Sequence, residues 1–217
     1  MSITSAIRQF KQDLPSTVKL VAVSKFKPVE DIMEAYEAGQ RAFGENRPQE
    51  LAAKAKVLPG DIEWHFIGHL QTNKLKQVIP YASLIESVDS ERLLAEIDKA
   101  ARAAGKIADI MLEVHIASES SKQGFSPEEA VEIARRIGEY PGVRLRGVMG
   151  MATFTDDMEQ VRREFRTLKG VSEKLAFIPD CDQISMGMSE DWPVAVEEGT
   201  TIVRIGSAIF GKRDYTK

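Results

Sequence analysis

A lysine stands at the end of an apolar run in LVAVSKFKP (20–28), where Leu20 to Val23 lead to Lys25 and Pro28 closes the segment. An ammonium group at the edge of a dry interior loses its proton readily and can attack a carbonyl to form a Schiff base. Most lysines at strand ends only bury their stems and keep the charge in water, as Lys27 could equally do, so Lys25 alone leaves both roles open. A second chemistry sits near the C-terminus. SMGMS (185–189) and RIGSAIFG (204–211) offer Gly187 and Gly206, where backbone N–H groups could approach an anion, and Ser185, Ser189 and Ser207 add hydroxyl donors. Either segment alone is an ordinary loop closure. Two together, with Arg204 just inside, point to an anion site.

A Schiff-base lysine and a phosphate cradle in one cavity are what pyridoxal 5'-phosphate requires. Arg204 would then meet the ring nitrogen, and because a guanidinium does not give up its proton, the ring would stay a weak electron sink. The bland alternative for Arg204 is a surface pair with Glu197 or Glu198. Asn46 in GEN (44–46) is either a hydrogen-bonding neighbour of the ring or a turn residue after Gly44. His65 and His69 flank a strand in EWHFIGHLQTNK, and with His115 far along the chain they form no metal-ligand pattern. His65 alternates with Trp64 and Phe66, so one of the two faces must look inward, and a satisfied core or rim histidine is the expectation. Met149, Met151, Met186 and Met188 read as cavity lining.

These residues need elements to hold them. Eight short apolar segments read as strands: 18–24, 41–44, 63–68, 83–88, 108–116, 143–150, 182–186 and 201–206. Helical signals lie between them. DSERLLAEIDKAARAAG (89–105) has a cap and a closing glycine, and SPEEAVEIARRIGEY (126–140) has Ser126 as cap, Pro127 at the first position and Glu129 three residues past the cap. Strands alternating with helices and no linker predict an α/β fold, a single (β/α)8 TIM barrel over 1–217 with an additional N-terminal helix covering the gap left by a missing last one. RAFG is the weakest strand, and an open α/β sheet is the alternative. In such a barrel the loops at the strands' C-terminal ends share one cavity, and the loops after strands seven and eight commonly hold phosphate. Lys25, Asn46, the two Gly/Ser segments and Arg204 all map to that end. Ser189, followed by Glu190 and Asp191, is read as a helix cap there.

The chain has 217 residues and a net charge of -4, with pI ≈ 5.6, which gives no electrostatic reason to expect nucleic acid or an anionic membrane. MSITSAIRQFKQDL lacks the long apolar core of a signal peptide, and no run is long enough to span a bilayer. One cysteine, Cys181, excludes an internal disulfide and agrees with a reducing compartment, its own role being that of a buried or idle thiol. A cytoplasmic protein, monomeric by default, is the expectation.

VAVSKFKP, FGENRPQE, WHFIGHLQTNK, the SxxSKQGF segment and SMGMSEDWPVAVEEGTTIVRIGSAIFG resemble, in order and over nearly the whole chain, the YggS/PROSC family of pyridoxal phosphate homeostasis proteins. The resemblance implies a barrel of the alanine-racemase N-terminal type, a fold-type III cofactor site, with the cofactor on Lys25. It also implies phosphate on Ser185, Ser189, Gly206 and Ser207, Arg204 at the ring nitrogen and Asn46 beside the ring. One block departs from the family: GVMGMAT lacks the proline that many relatives carry after MA. Alanine racemases add a tyrosine base from a second domain, whereas only GKRDYTK follows strand eight here, and Tyr36, Tyr81, Tyr140 and Tyr215 fall in helices, bottom loops or the tail. Two-base racemisation needs a group on each face of the reacting carbon. A protein that holds pyridoxal phosphate and hands it to apo-enzymes, without catalytic residues of its own, is the leading expectation. A weak amino-acid racemase and a cofactor-free Schiff-base aldolase are the alternatives.

Overall fold

In the computed structural model, which describes residues 2–119 and 123–211, eight parallel strands close into a barrel in sequence order. They are β1 (Lys19–Val23), β2 (Ala42–Glu45), β3 (Glu63–Phe66), β4 (Ala82–Val88), β5 (Ala108–Glu113), β6 (Val143–Met149), β7 (Gln183–Ser185) and β8 (Ile202–Ile205). The pairing of β1 with β8, Lys19 opposite Ile202 through Ala22 opposite Ile205, completes the ring. RAFG is a strand, so the open-sheet alternative falls. Residues 120–122 of the SxxSKQGF block and Tyr215 in the tail lie outside the described residues.

Alternation along the strands builds two cores. Side chains pointing outward, such as Leu20, Phe43, Trp64, Ile110, Val148 and Val203, join the layer beneath the helices. Those pointing inward, Val21, Ala42, Leu84, Met111, Met149 and Ile202, fill the barrel. Each fully buried aliphatic or aromatic side chain contributes about 1.5–3 kcal/mol. The methionines divide between these environments. Met149 lies in the barrel with Met151 packed on it, but Met186 belongs to the helix-side core and Met188 is exposed, so only part of the set lines the cavity.

The helices are α1 (Ile3–Asp13), α2 (Val29–Glu37), α3 (Pro48–Ala55), α4 (Leu75–Val78), α5 (Glu91–Ala103), α6 (Pro127–Arg135), α7 (Met158–Lys174), α8 (Trp192–Glu197) and α9 (Ser207–Phe210). Helix α1 packs against α2 and α9, joined to α2 through Thr4 and Glu34 and to α8 by an edge contact between Phe10 and Trp192. It therefore covers the gap expected of it. Ser126 and Glu129 form the anticipated capping box. Ser189 is not a cap: Asp191 occupies the N-cap position of α8, and its carboxylate turns back to accept from the Met188 N–H at 2.6 Å. The Asp191 side chain makes no capping bond to the helix, and the Ser189 hydroxyl, two residues before the N-cap, accepts from Ser207 instead. Among the described residues no helix is long and apolar enough to cross a membrane.

Candidate functional site

Lys25 sits half-buried in the turn that follows β1, at the C-terminal end of the barrel. That turn is clamped from several sides. The Ser24 N–H reaches the Gly44 carbonyl at 2.9 Å, its hydroxyl donates to Glu45 Oε1 at 2.6 Å, and its carbonyl accepts from Lys54 Nζ at 2.9 Å. Phe26 takes a positive φ of 63°, which costs a bulky L-residue about 1–2 kcal/mol. Its N–H is held by Glu50 at 2.8 Å, and the Arg47 guanidinium lies 4.2 Å over its ring. Behind the turn, Lys54 is almost fully buried between Glu45 at 2.7 Å and Glu50 at 3.0 Å. Burial pushes the Glu45 carboxyl above its ordinary range, the Lys54 charge opposing it. Lys27 sends its ammonium to the Phe210 carbonyl at 2.6 Å, so the turn bearing Lys25 is tied to α9.

Inside the barrel, beneath this end, lies a polar layer. Glu86 is fully buried on β4 and accepts from His65 Nδ1 on β3 at 2.5 Å and from the Ser185 hydroxyl on β7 at 2.5 Å. The Ser185 oxygen in turn accepts from Arg204 Nη1 on β8 at 2.5 Å, and Arg204 Nη2 reaches the Gly150 carbonyl at 3.1 Å. Burial alone would raise Glu86, but the His65 hydrogen bond and charge, Arg204 and Ser185 outweigh it and hold the carboxyl below its usual value. Arg204 is thus interior, and the surface alternative fails because Glu197 and Glu198 pair with Arg162 and Arg166 instead. Of the two faces of β3, His65 occupies the inward one.

Glu113 ends β5 on the same inward face as Met111 and is buried. Burial, then the Asp89 charge, push its carboxyl up to about 7 against the opposing pull of Arg204. The folded protein therefore holds this proton more tightly than the unfolded chain does. The resulting penalty is absent below about pH 4.5, grows between 4.5 and 7, and is complete above 7, where it reaches about 3 kcal/mol. Glu113→Gln is expected to melt with the parent at pH 4.5 and several degrees above it at pH 8; equal melting temperatures at both values would contradict the buried-acid account.

The loops after β7 and β8 meet at the rim. The Ser207 hydroxyl, exposed, donates to the Oγ of half-buried Ser189 at 3.2 Å, and Gly206 precedes α9. Gly187 adopts φ 96°, and a Cβ there would lie 2.6 Å from that of Ala195, so only glycine lets the β7 loop pack on α8. Gly68 plays the same part on the other side, where a Cβ would stand 2.4 Å from the Asn46 carbonyl oxygen. The side-chain Oδ1 of Asn46 is buried with no hydrogen-bond partner among the described residues.

The structure thus brings Lys25, Asn46, Ser189, Gly206 and Ser207 to one end of the barrel and sets Arg204 just below them. Ser185 stands apart from the other serines: it is fully buried, its hydroxyl committed to Glu86 and Arg204, which places it in the polar layer rather than with Ser189 and Ser207. His69 is a rim residue bonded to Asp89 at 3.0 Å. Cys181 is buried, and burial pushes its thiol up to about 11, an inert group. Among the described residues no cluster of three or more His, Cys, Asp or Glu could hold a metal ion. Glu86, Glu113, Glu45 and Lys54 were not singled out by the sequence reading. The signal for Glu86 was available, since a carboxylate in SLIESV is as anomalous as a lysine after LVAV.

Comparison with known proteins follows the same geometry. The family described as "Alanine racemase, N-terminal domain" matches residues 2–214. The pyridoxal phosphate homeostasis protein of Pasteurella multocida is 40% identical over 224 residues, covering 100% of this chain and 95% of that protein. That of Vibrio alginolyticus is 41% identical over 223 residues, covering 99% and 96%. Among solved structures, PipY of Synechococcus elongatus with PLP bound superposes with a TM-score of 0.87 at 34% identity, over 97% of this chain and 100% of that one. The alanine racemase of Clostridium difficile shares the fold, with a TM-score of 0.81 at 16% identity over 99% of this chain and 58% of that one.

Proposed function

Because the chain belongs to the alanine racemase N-terminal domain family, and within it to the pyridoxal phosphate homeostasis proteins, we propose that it binds pyridoxal 5'-phosphate on Lys25 and serves to hold and hand on that cofactor. The observation that carries this reading is the convergence of Lys25, the Ser189–Ser207 hydroxyl pair and interior Arg204 at one end of one barrel. The buried, unpartnered Oδ1 of Asn46 supports it, since a polar atom left without a partner in the chain is expected to meet one from a ligand. When bound, pyridoxal phosphate supplies an aldehyde carbon that combines reversibly with amines.

In this reading the Lys25 amine is the covalent anchor, presented by a turn that five or more hydrogen bonds hold in place. Ser189, Ser207 and the backbone at Gly206 hold the phosphate, and Lys27 couples that subsite to the anchor through the Phe210 carbonyl. Arg204 faces the ring nitrogen and keeps its own proton, which mutes carbanion chemistry. Ser185 acts indirectly, by fixing Arg204. Asn46 borders the ring. Among the described tyrosines, Tyr36 is bonded to Asp61, Tyr140 to Glu91, and Tyr81 precedes β4 at the opposite end of the barrel, so none is placed as a second base. Residues 1–217 are read as one domain, acting in the cytoplasm as a monomer, with PLP-dependent apo-enzymes as recipients.

Two measurements on the loaded protein test the carrier role. Mixed with an apo-enzyme that needs pyridoxal phosphate, it is expected to restore that enzyme's activity, while amino acids incubated with it in D2O keep their α-hydrogens. Lysine-dependent exchange of the α-hydrogen, without transfer, would make the protein a racemase instead.

A further inference from the structure

Hydrogen bonding across the barrel has a direction, and Glu86 fixes it. A serine hydroxyl has one proton; because Ser185 gives that proton to ionised Glu86, its oxygen can only accept from Arg204. On the other side His65 presents its Nδ1 to the second carboxylate oxygen. The chain His65, Glu86, Ser185, Arg204 therefore runs through β3, β4, β7 and β8, with every member buried. Arg204 spends one Nη on Ser185 and the other on the Gly150 carbonyl, which fixes the plane of the guanidinium. The carboxylate also stands 3.8 Å from Arg204 Nη1, close enough to balance its charge where water is excluded.

Resting on the cofactor reading above, we propose that Glu86 is a positioning residue for the bound ring: it orients Arg204 through Ser185 and cancels the guanidinium charge beneath the cofactor, thereby setting the proton affinity of the lysine linkage above. The titratable and charged groups that face it are His65 from β3 and Arg204 from β8; Glu113 lies on neighbouring β5, with Asp89 near it. The strands β1 and β2 contribute the apolar side chains Val21 and Ala42 to the interior.

Glu86→Gln keeps the shape and removes the charge; Glu86→Asp keeps the charge and shortens the reach. A cavity made more positive by one buried charge disfavours a second cation, so the linkage on Lys25 should lose its proton more easily. The test is a pH titration of the visible absorbance of each protein loaded with pyridoxal phosphate. Glu86→Gln is expected to titrate about one pH unit below the parent, and Glu86→Asp within about 0.3 unit of it. An unmoved midpoint in Glu86→Gln, or an equal fall in both variants, would overturn the proposal, since loss of packing would then account for the change. Should the glutamine variant not fold, the aspartate variant decides alone: a fall of about one unit despite the retained charge refutes the proposal. Failure of the parent to form any adduct on Lys25 would instead remove the cofactor reading beneath it.

Discussion

Lys25→Ala is expected to take up no pyridoxal phosphate covalently, while still binding it weakly and reversibly through the groups around the phosphate. Among the described residues, the neighbouring lysines are not placed to replace the Lys25 amine. Lys27, two residues on, is committed to the Phe210 carbonyl at 2.6 Å, and Lys54 is buried between Glu45 and Glu50 behind the turn. Neither can swing into the cavity without breaking a structural contact. Reduction of the loaded variant with borohydride should leave no cofactor attached after denaturation, against about one equivalent for the parent. Undiminished attachment in the variant would move the anchor elsewhere and undo the assignment. Equilibrium dialysis should still find reversible binding, because the Ser189 and Ser207 hydroxyls remain paired on the far loops.

Lys54→Met is expected to have the largest effect on stability. It leaves Glu45, fully buried, without its cation, and removes the donor that holds the Ser24 carbonyl. Breaking a buried pair by deleting one partner costs about 3–5 kcal/mol, which for a chain of this size lowers the melting temperature by roughly 10 °C. The loss should depend on pH. Glu45 is already raised by burial, and without Lys54 it rises further, so at acid pH it can take a proton and escape the uncompensated charge. The drop in melting temperature should therefore be smaller at pH 5 than at pH 8. A uniform drop would assign the effect to lost packing of the lysine stem. The same substitution loosens the Lys25 turn, and slower uptake of cofactor than in the parent is expected at temperatures where both are folded.

The barrel was legible because its signals are local. Eight apolar segments, Pro127 at a helix start and the capping residues Ser126 and Glu129 each report on a few neighbouring residues, and closure follows from their number and order. Lys25, Arg204 and the Gly/Ser loops stood out because charge or glycine interrupts an apolar pattern. What stayed hidden is pairwise and distant. That Ser185 serves Arg204 rather than the phosphate rim depends on Glu86, ninety-nine residues earlier in the chain, and no spacing rule connects β4 with β7. Lys54 looked like any helix lysine until α3 laid it under the β1 turn. Ser189 was misread for the opposite reason: Ser189, Glu190 and Asp191 are all acceptable near a helix start, and only the backbone decides which of them takes the cap.

Lys25, in the turn that follows β1, is there to carry a cofactor. The most direct test is to record the absorbance of the loaded protein, reduce it with borohydride, digest it and locate the adduct by mass. A visible band that disappears on reduction, and a pyridoxyl-phosphate mass on the peptide containing Lys25, are expected. A colourless protein that takes up no added cofactor, or an adduct on any other lysine, would contradict it.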